Sequence, residues 1–278
     1  MRARISERNY FPNFSPKEEY FKLHHFLCDN SAFAKRGLYD DTYHSIYELL
    51  DKNFTEWSLI GSFTTLEEMM RKFHIRTIDV SDSFSEDGLL DYIQFIINAL
   101  GFLSNHVYYP FRSYRFNSIQ ESILKHCELL LKKLNAEVIE IEDEYVVLYK
   151  SDVATVVSNQ QPELATSITE YLAINNRSDL QQKEEILCSL AKALEPKEQL
   201  LKENGFQQLC KDATFLLNKT GARHALDPND GIEAQFLAMD AADRIKWYDR
   251  AFKTVLACMA VLPYIDFKDE IKDIKRNG

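Results

Sequence analysis

The sequence predicts a mainly α-helical chain carrying one small β-hairpin, on three observations. Glycine and proline are scarce, 8 and 7 in 278 residues, fewer than turn-rich sandwiches or glycine-loop nucleotide folds need. Helix-start signatures recur: Pro16 after Ser15, the capping boxes Thr64-Thr65-Leu66-Glu67 and Ser83-Phe84-Ser85-Glu86, and Ser118 three residues before Glu121. Apolar residues return at three-to-four spacing through most segments, and the period shortens to two after Asn135.

Taken in order, the pattern predicts helices over 16–28, 41–53, 65–74, 86–103 and 119–135. Leu89, Leu90, Ile93, Ile96, Ile97 and Leu100 form the clearest buried face among them. Val138, Ile139 and Ile141, then Tyr145 to Tyr149, flank Glu142-Asp143-Glu144 as the arms of a hairpin near 136–149. A lone hairpin is marginal in water, so it must pack on neighbouring helices. The polar stretch Ser158-Asn159-Gln160-Gln161-Pro162 reads as a boundary. It divides the chain into a helical N-terminal region with the hairpin, 1–158, and an all-helical bundle, 159–278.

In the second half, helices are expected over 162–173 and from Ser178-Asp179 to about Leu194. Pro196 starts a short piece that Gly205 closes. The next helix, 206–218, ends at Gly221 as a C-cap glycine. After the loop 223–231 one long helix, about 233–262, is expected to bury Phe236, Leu237, Met239, Ile245, Phe252, Leu256 and Met259, and the charged tail from Asp266 to be frayed.

Composition narrows the function. A chain 45% hydrophobic and 27% charged excludes disorder, collagen-like repeats and a coiled-coil rod. The net charge of −10 disfavours a surface-wide affinity for nucleic acid, leaving room only for a local basic patch. Cys28, Cys127, Cys188, Cys210 and Cys258 are widely spaced, with no CxxC pair, and are expected to be reduced core thiols of a cytoplasmic protein. Met1-Arg2-Ala3-Arg4 leads into Ser6-Glu7-Arg8-Asn9 rather than a signal core, and the longest apolar run, 255–265, is broken by Pro263 and too short to span a bilayer. No membrane association and no cofactor are expected.

Signatures of P-loop, dinucleotide, zincin, zinc-ribbon and nucleophile-elbow enzymes are absent. His24 and His25 are adjacent, so on a helix they diverge by about 100° and cannot share a metal. Asp79, Asp82, Glu86, Asp87 and Asp91 lack calcium-loop spacing and coincide with a helix start, so no metal site is expected. Tyr108 to Arg115 is an aromatic and basic connection that suits either interhelical packing or base stacking.

The segment Asn218-Lys219-Thr220-Gly221-Ala222-Arg223-His224 gathers an amide, two cations and an imidazole just past a helix end. Arginine can clamp a phosphate bidentately, and histidine can pass a proton near neutral pH. With Asn218 orienting, Arg223 and His224 would suit cleavage of an RNA phosphodiester. Lys219, together with Lys246, Arg250 and Lys253 on one face of the following helix, would bind the RNA backbone. The competing reading is structural: a C-cap loop in which Arg223 bonds helix-end carbonyls, with the basic face, interleaved with Asp240, Asp243 and Asp249, merely solvated.

On Asn218, Ala222, Arg223 and His224, in that order after the helical stretch 183–194, the region 180–262 resembles the HEPN-type helical domains that end AbiJ-like abortive-infection proteins. The stretches 89–100 and 119–149 resemble the linking region of that group. The resemblance implies a HEPN-like bundle, metal-independent endoribonuclease activity at Arg223 and His224, homodimers whose two motifs share a cleft, and a toxin-type role in defence against phage. Active members space the arginine and histidine further apart than here, where they are adjacent. A non-catalytic interaction or regulatory protein, antitoxin-like or scaffolding, with a protein partner, therefore stands beside the ribonuclease reading.

Overall fold

The computed structural model describes residues 14–28, 33–36, 41–54, 65–72, 84–106, 114–141, 144–224 and 226–277. It is mainly helical, and it divides into two units, 1–147 and 148–278.

The first unit contains α1 (Pro16–Cys28), the strands β1 (Phe33–Arg36) and β2 (Asp41–His44), α2 (Ile46–Asn53), α3 (Leu66–Lys72), α4 (Glu86–His106), α5 (Tyr114–Lys133) and the hairpin strand β3 (Ala136–Ile141), whose partner β4 (Glu144–Tyr149) crosses the division. Its core forms where α1 packs on α4. The rings of Tyr20 and Tyr92 lie 4.4 Å apart, and His24 Nδ1 is 3.0 Å from the Tyr92 hydroxyl. Burial holds the His24 imidazole below its ordinary pKa, as befits a histidine packed into structure. The hairpin is docked by two buried amides of α4. Asn98 accepts from the Tyr145 amide at 2.9 Å and donates to its carbonyl at 2.7 Å, while Gln94 accepts from the Val147 amide at 2.7 Å. These amides pair the open edge of β4, which would otherwise carry unsatisfied backbone groups.

One expected helix of this unit is shorter than its sequence suggested. Residues 41–44 form β2, antiparallel to β1 with Phe33 opposite His44, and the helix begins only at Ile46. Ser45 decides this boundary, because its hydroxyl accepts the Glu48 amide at 3.1 Å and caps α2 there. The aromatic and basic connection lies largely outside the described residues, as do Asp79 and Asp82 of the acidic run.

The second unit holds α6 (Asp152–Gln160), α7 (Ala165–Leu172), α8 (Leu180–Leu194), α9 (Glu198–Glu203), α10 (Gln207–Lys219), α11 (Gly231–Leu237), α12 (Ala241–Ala260) and α13 (Leu262–Asn277). Its centre is α12, against which α6, α8 and α10 all pack. The division falls before the polar stretch that the sequence marks, because α6 belongs here: Ser151 caps it at the Ala154 amide, and Ala154 and Val157 enter the core of this unit. The long closing helix expected over 233–262 is two helices. Asp230 caps α11 and Asp240 caps α12, and Leu237, expected in the core, is 42% exposed at the break between them. The charged tail is helical, not frayed.

Both ends of the α10 region are closed by glycine in the left-handed region, Gly205 at φ +93° and Gly221 at φ +81°. At Gly221 the Ala222 amide bonds to the Leu217 carbonyl at 3.0 Å and the Gly221 amide to the Asn218 carbonyl at 3.3 Å. This is a Schellman closure, with Ala222 buried against the end of the helix. A side chain at Gly221 would also meet Leu226 at 3.3 Å. Gly221→Ala is therefore expected to destabilise the second unit by about 1–2 kcal/mol, whereas Gly231→Ala, in a helical position with open space around it, should be neutral or mildly stabilising; urea melts of the two variants check the contrast.

Candidate functional site

The Gly221 turn fixes where the candidate residues go. Asn218 sits half-buried in the last turn of α10, its carbonyl engaged by the Gly221 amide. Thr220 is fully buried and its hydroxyl donates to the Leu216 carbonyl at 2.8 Å. Arg223 and His224 follow on the reversed chain, His224 exposed.

Arg223 turns onto the start of α9. Its Nη1 donates to Glu198 at 2.8 Å and its Nη2 to Glu195 at 3.0 Å, so one guanidinium bridges two carboxylates. Glu195 and Glu198 lie three residues apart across Pro196 and present the same side of the chain. Glu198 is the more enclosed of the two and also pairs with Lys202 at 3.0 Å and accepts from Thr214 at 3.3 Å. Burial pushes its carboxyl up, but the bonds from Lys202 and Arg223 outweigh this and hold its pKa below the ordinary value.

Lys219 is similarly engaged. Its ammonium lies 3.2 Å from both Asp230 and Glu233. Asp230 accepts the Ile232 and Glu233 amides to cap α11, and Glu233 accepts the Asp227 amide at 2.7 Å. Lys219 thus staples the loop 223–231 across its mouth. The remaining basic residues lie on the solvent face of α12: Lys246 pairs with Asp243 at 2.7 Å, Arg250 stands over the Trp247 ring at 5.8 Å, and Lys253 is exposed.

Comparison with known proteins returned no matching family model, no matching curated protein and no matching solved structure.

Two polar groups buried inside the second unit escaped the sequence reading. Lys183 is 3% exposed, with its Nζ donating to Asp249 at 3.1 Å and lying 3.8 Å from the centre of the Tyr171 ring. Tyr171 donates to the same Asp249 oxygen at 2.9 Å and stacks on Phe252 with ring centres 3.9 Å apart. Burial lowers the pKa of Lys183, opposed by Asp249 and reinforced by the charge of Lys253. The sequence does carry a signal, since Lys183 keeps the three-to-four register of Ile186, Leu187, Leu190 and Leu194 on the buried face of α8.

The second group adjoins the Gly221 turn. Tyr248 donates to Glu184 at 2.9 Å, and Arg244 reaches the Tyr248 hydroxyl at 3.4 Å while lying 5.1 Å from the Phe236 ring. Burial, and then the bond to Glu184, push the Tyr248 phenol up to about 12. Among the described residues, Arg244 Nε is the one buried side-chain polar atom without a hydrogen-bond partner. Arg244 and Tyr248 extend the buried face of α12 by a turn, while the predicted Lys246, Arg250 and Lys253 lie on its other side.

Among the described residues no histidine, cysteine and carboxylate group has the geometry to hold a metal ion, and no helix is long and apolar enough to cross a membrane. What the predicted cluster does chemically is compensate charge. Arg223 cannot offer both of its engaged nitrogens to a phosphate without releasing Glu198 and Glu195. A double-mutant cycle of Arg223→Ala with Glu198→Gln is expected to give a coupling of about 1–2 kcal/mol. Because the Glu198 pKa is lowered on folding, that stability is present above the unfolded carboxyl pKa of about 4.3 and fades as the pH falls through the folded value, which pH-dependent urea melts would follow. For the buried pair, Asp249→Ala should cost about 1–3 kcal/mol near neutral pH by stranding the Lys183 ammonium, and the deficit should shrink as the pH rises through the Lys183 pKa, which burial holds below the ordinary lysine value; Lys183→Met should be better tolerated.

Proposed function

We propose that this chain is an abortive-infection-type defence protein whose second unit is a HEPN-like helical module, acting by contact with a partner rather than by cutting RNA at Arg223 and His224. One observation carries the non-catalytic part: the Arg223 guanidinium is spent on Glu198 and Glu195. Lys219 and Lys246, two of the cations assigned to RNA, are likewise paired with carboxylates. A surface whose positive groups are locally neutralised releases few counterions from a nucleic acid and gains little affinity for it. The defence assignment rests on the resemblance of 180–262, supported by the succession of α8, α10, the Asn218 to His224 turn and α12.

A second reading, a metal-independent endoribonuclease working as a homodimer, is favoured by one observation: the His224 side chain is exposed at the same turn, within reach of a substrate, and an imidazole is the side chain most often used to pass a proton. In that reading RNA displaces the carboxylates from Arg223.

Incubating the purified chain with total RNA and tRNA in EDTA separates the two. The interaction reading expects intact RNA with wild type, and expects Arg223→Ala to lower the melting temperature while His224→Ala leaves it nearly unchanged. Cleavage by wild type that disappears in His224→Ala, with the variant fully folded, would replace it with the ribonuclease reading.

A further inference from the structure

We infer that α13 is a self-association surface, a short parallel seam on which a second copy of this chain docks α13 against α13. The helix carries apolar side chains at Tyr264, Phe267, Ile271 and Ile274, a 3-4-3 spacing that fills the a and d positions of two consecutive heptads. Three of the four stay substantially exposed on the bundle, and Ile271 is half-buried. Tyr264 and Phe267 are 43% exposed and Ile274 is 72% exposed, the highest value among the large exposed hydrophobic residues. The inward side of the helix is instead anchored by Ile265, buried in the core of the second unit.

Charge selects the occupant and its direction. With the apolar residues at a and d, Glu270 takes position g and Lys275 the e position of the next heptad, and both are exposed. In a parallel pair, g of one helix faces e of the following heptad in the other, so Glu270 meets Lys275 of the second copy twice by symmetry. An antiparallel pair centred on this seam would instead set Glu270 against Glu270 and carry Lys275 away from it. The face is thus complementary to itself in one orientation only, as an isologous two-fold interface requires.

Two heptads alone are too short to hold a free helix in water, but this helix is already formed on the bundle. The edge of the Tyr264 ring meets Phe206 with centres 6.3 Å apart and Phe267 at 5.7 Å, and Lys268 donates to the Asn204 carbonyl at 3.1 Å. Its first turns are therefore ordered before association, which removes much of the entropy cost of docking. The inference stands on α13 and is independent of whether RNA is cut at His224.

Sedimentation equilibrium of the full chain, from low micromolar to high micromolar concentration, tests it. Wild type should dimerise. Ile274→Glu, at a position too exposed to disturb folding, should weaken the dimer by at least about tenfold. Glu270→Lys alone and Lys275→Glu alone should each weaken it several-fold, and the double reversal should restore it. A monomeric wild type across that range would overturn the inference, as would a dimer indifferent to Ile274→Glu, or a double reversal no better than either single change.

Discussion

Burial of one face of α12 is the constraint from which the second unit follows. Tyr248, Ala251, Phe252, Val255, Leu256, Cys258 and Met259 are all sequestered from water, and α6, α8 and α10 are the elements that cover them. Each fully buried large apolar side chain contributes about 1.5–3 kcal/mol, so the partners of α12 have little freedom to shift. The polar groups are arranged around this face rather than the reverse. Asp249 sits at its margin and receives Lys183 and Tyr171, while Tyr248 passes its hydroxyl to Glu184.

Charge within this unit is handled by short ion pairs. Arg223 draws on Glu195 and Glu198, Lys219 on Asp230 and Glu233, Lys202 on Glu198, and Lys246 on Asp243. The pairs that involve Arg223 and Lys219 bracket the loop between α10 and α11 from both sides, and the left-handed glycine between them reverses the chain. Arg223 thus ties the start of that loop to Glu195 and Glu198, and Lys219 ties its finish through Asp230.

Much of this was legible in the sequence where a local rule decides the outcome. The first helix begins at Pro16 and ends at Cys28 as its spacing indicates, the period-two arms after Asn135 form the hairpin, and Gly221 terminates α10 as expected. The misses share a cause: two local rules competed. Helical spacing runs through 41–53 and 233–262, but Ser45 and Asp240 each offer a side-chain cap that starts a new helix inside the periodic stretch. The polar residues 158–160 look like a linker, yet Ala154 and Val157 ahead of them supply the two core contacts that a short helix needs. The candidate cluster was found by composition, because Asn218, Arg223 and His224 are close in sequence. Its partners Glu195 and Glu198 were not, because they are distant along the chain and only the packing of α9 beside α10 brings them near. Lys183 was hidden by its residue type, although its register on α8 places it in the core.

The pair of glycine closures at Gly205 and Gly221 has a consequence for how this region can vary. Each is locked by a bond from the residue after the glycine back to a carbonyl of the helix, Phe206 to Leu201 and Ala222 to Leu217. Helix α10 is held between these two reversals with no slack at either end. One added or deleted residue would rotate everything beyond it by about 100°, carrying Cys210, Ala213 and Leu217 off the core and swinging Arg223 away from Glu198. The segment can exchange side chains freely on its outer face, as at exposed Phe215, but its length is fixed, so among relatives of this chain the count of residues from Gly205 to Gly221 should be a steadier mark of kinship than the residues themselves.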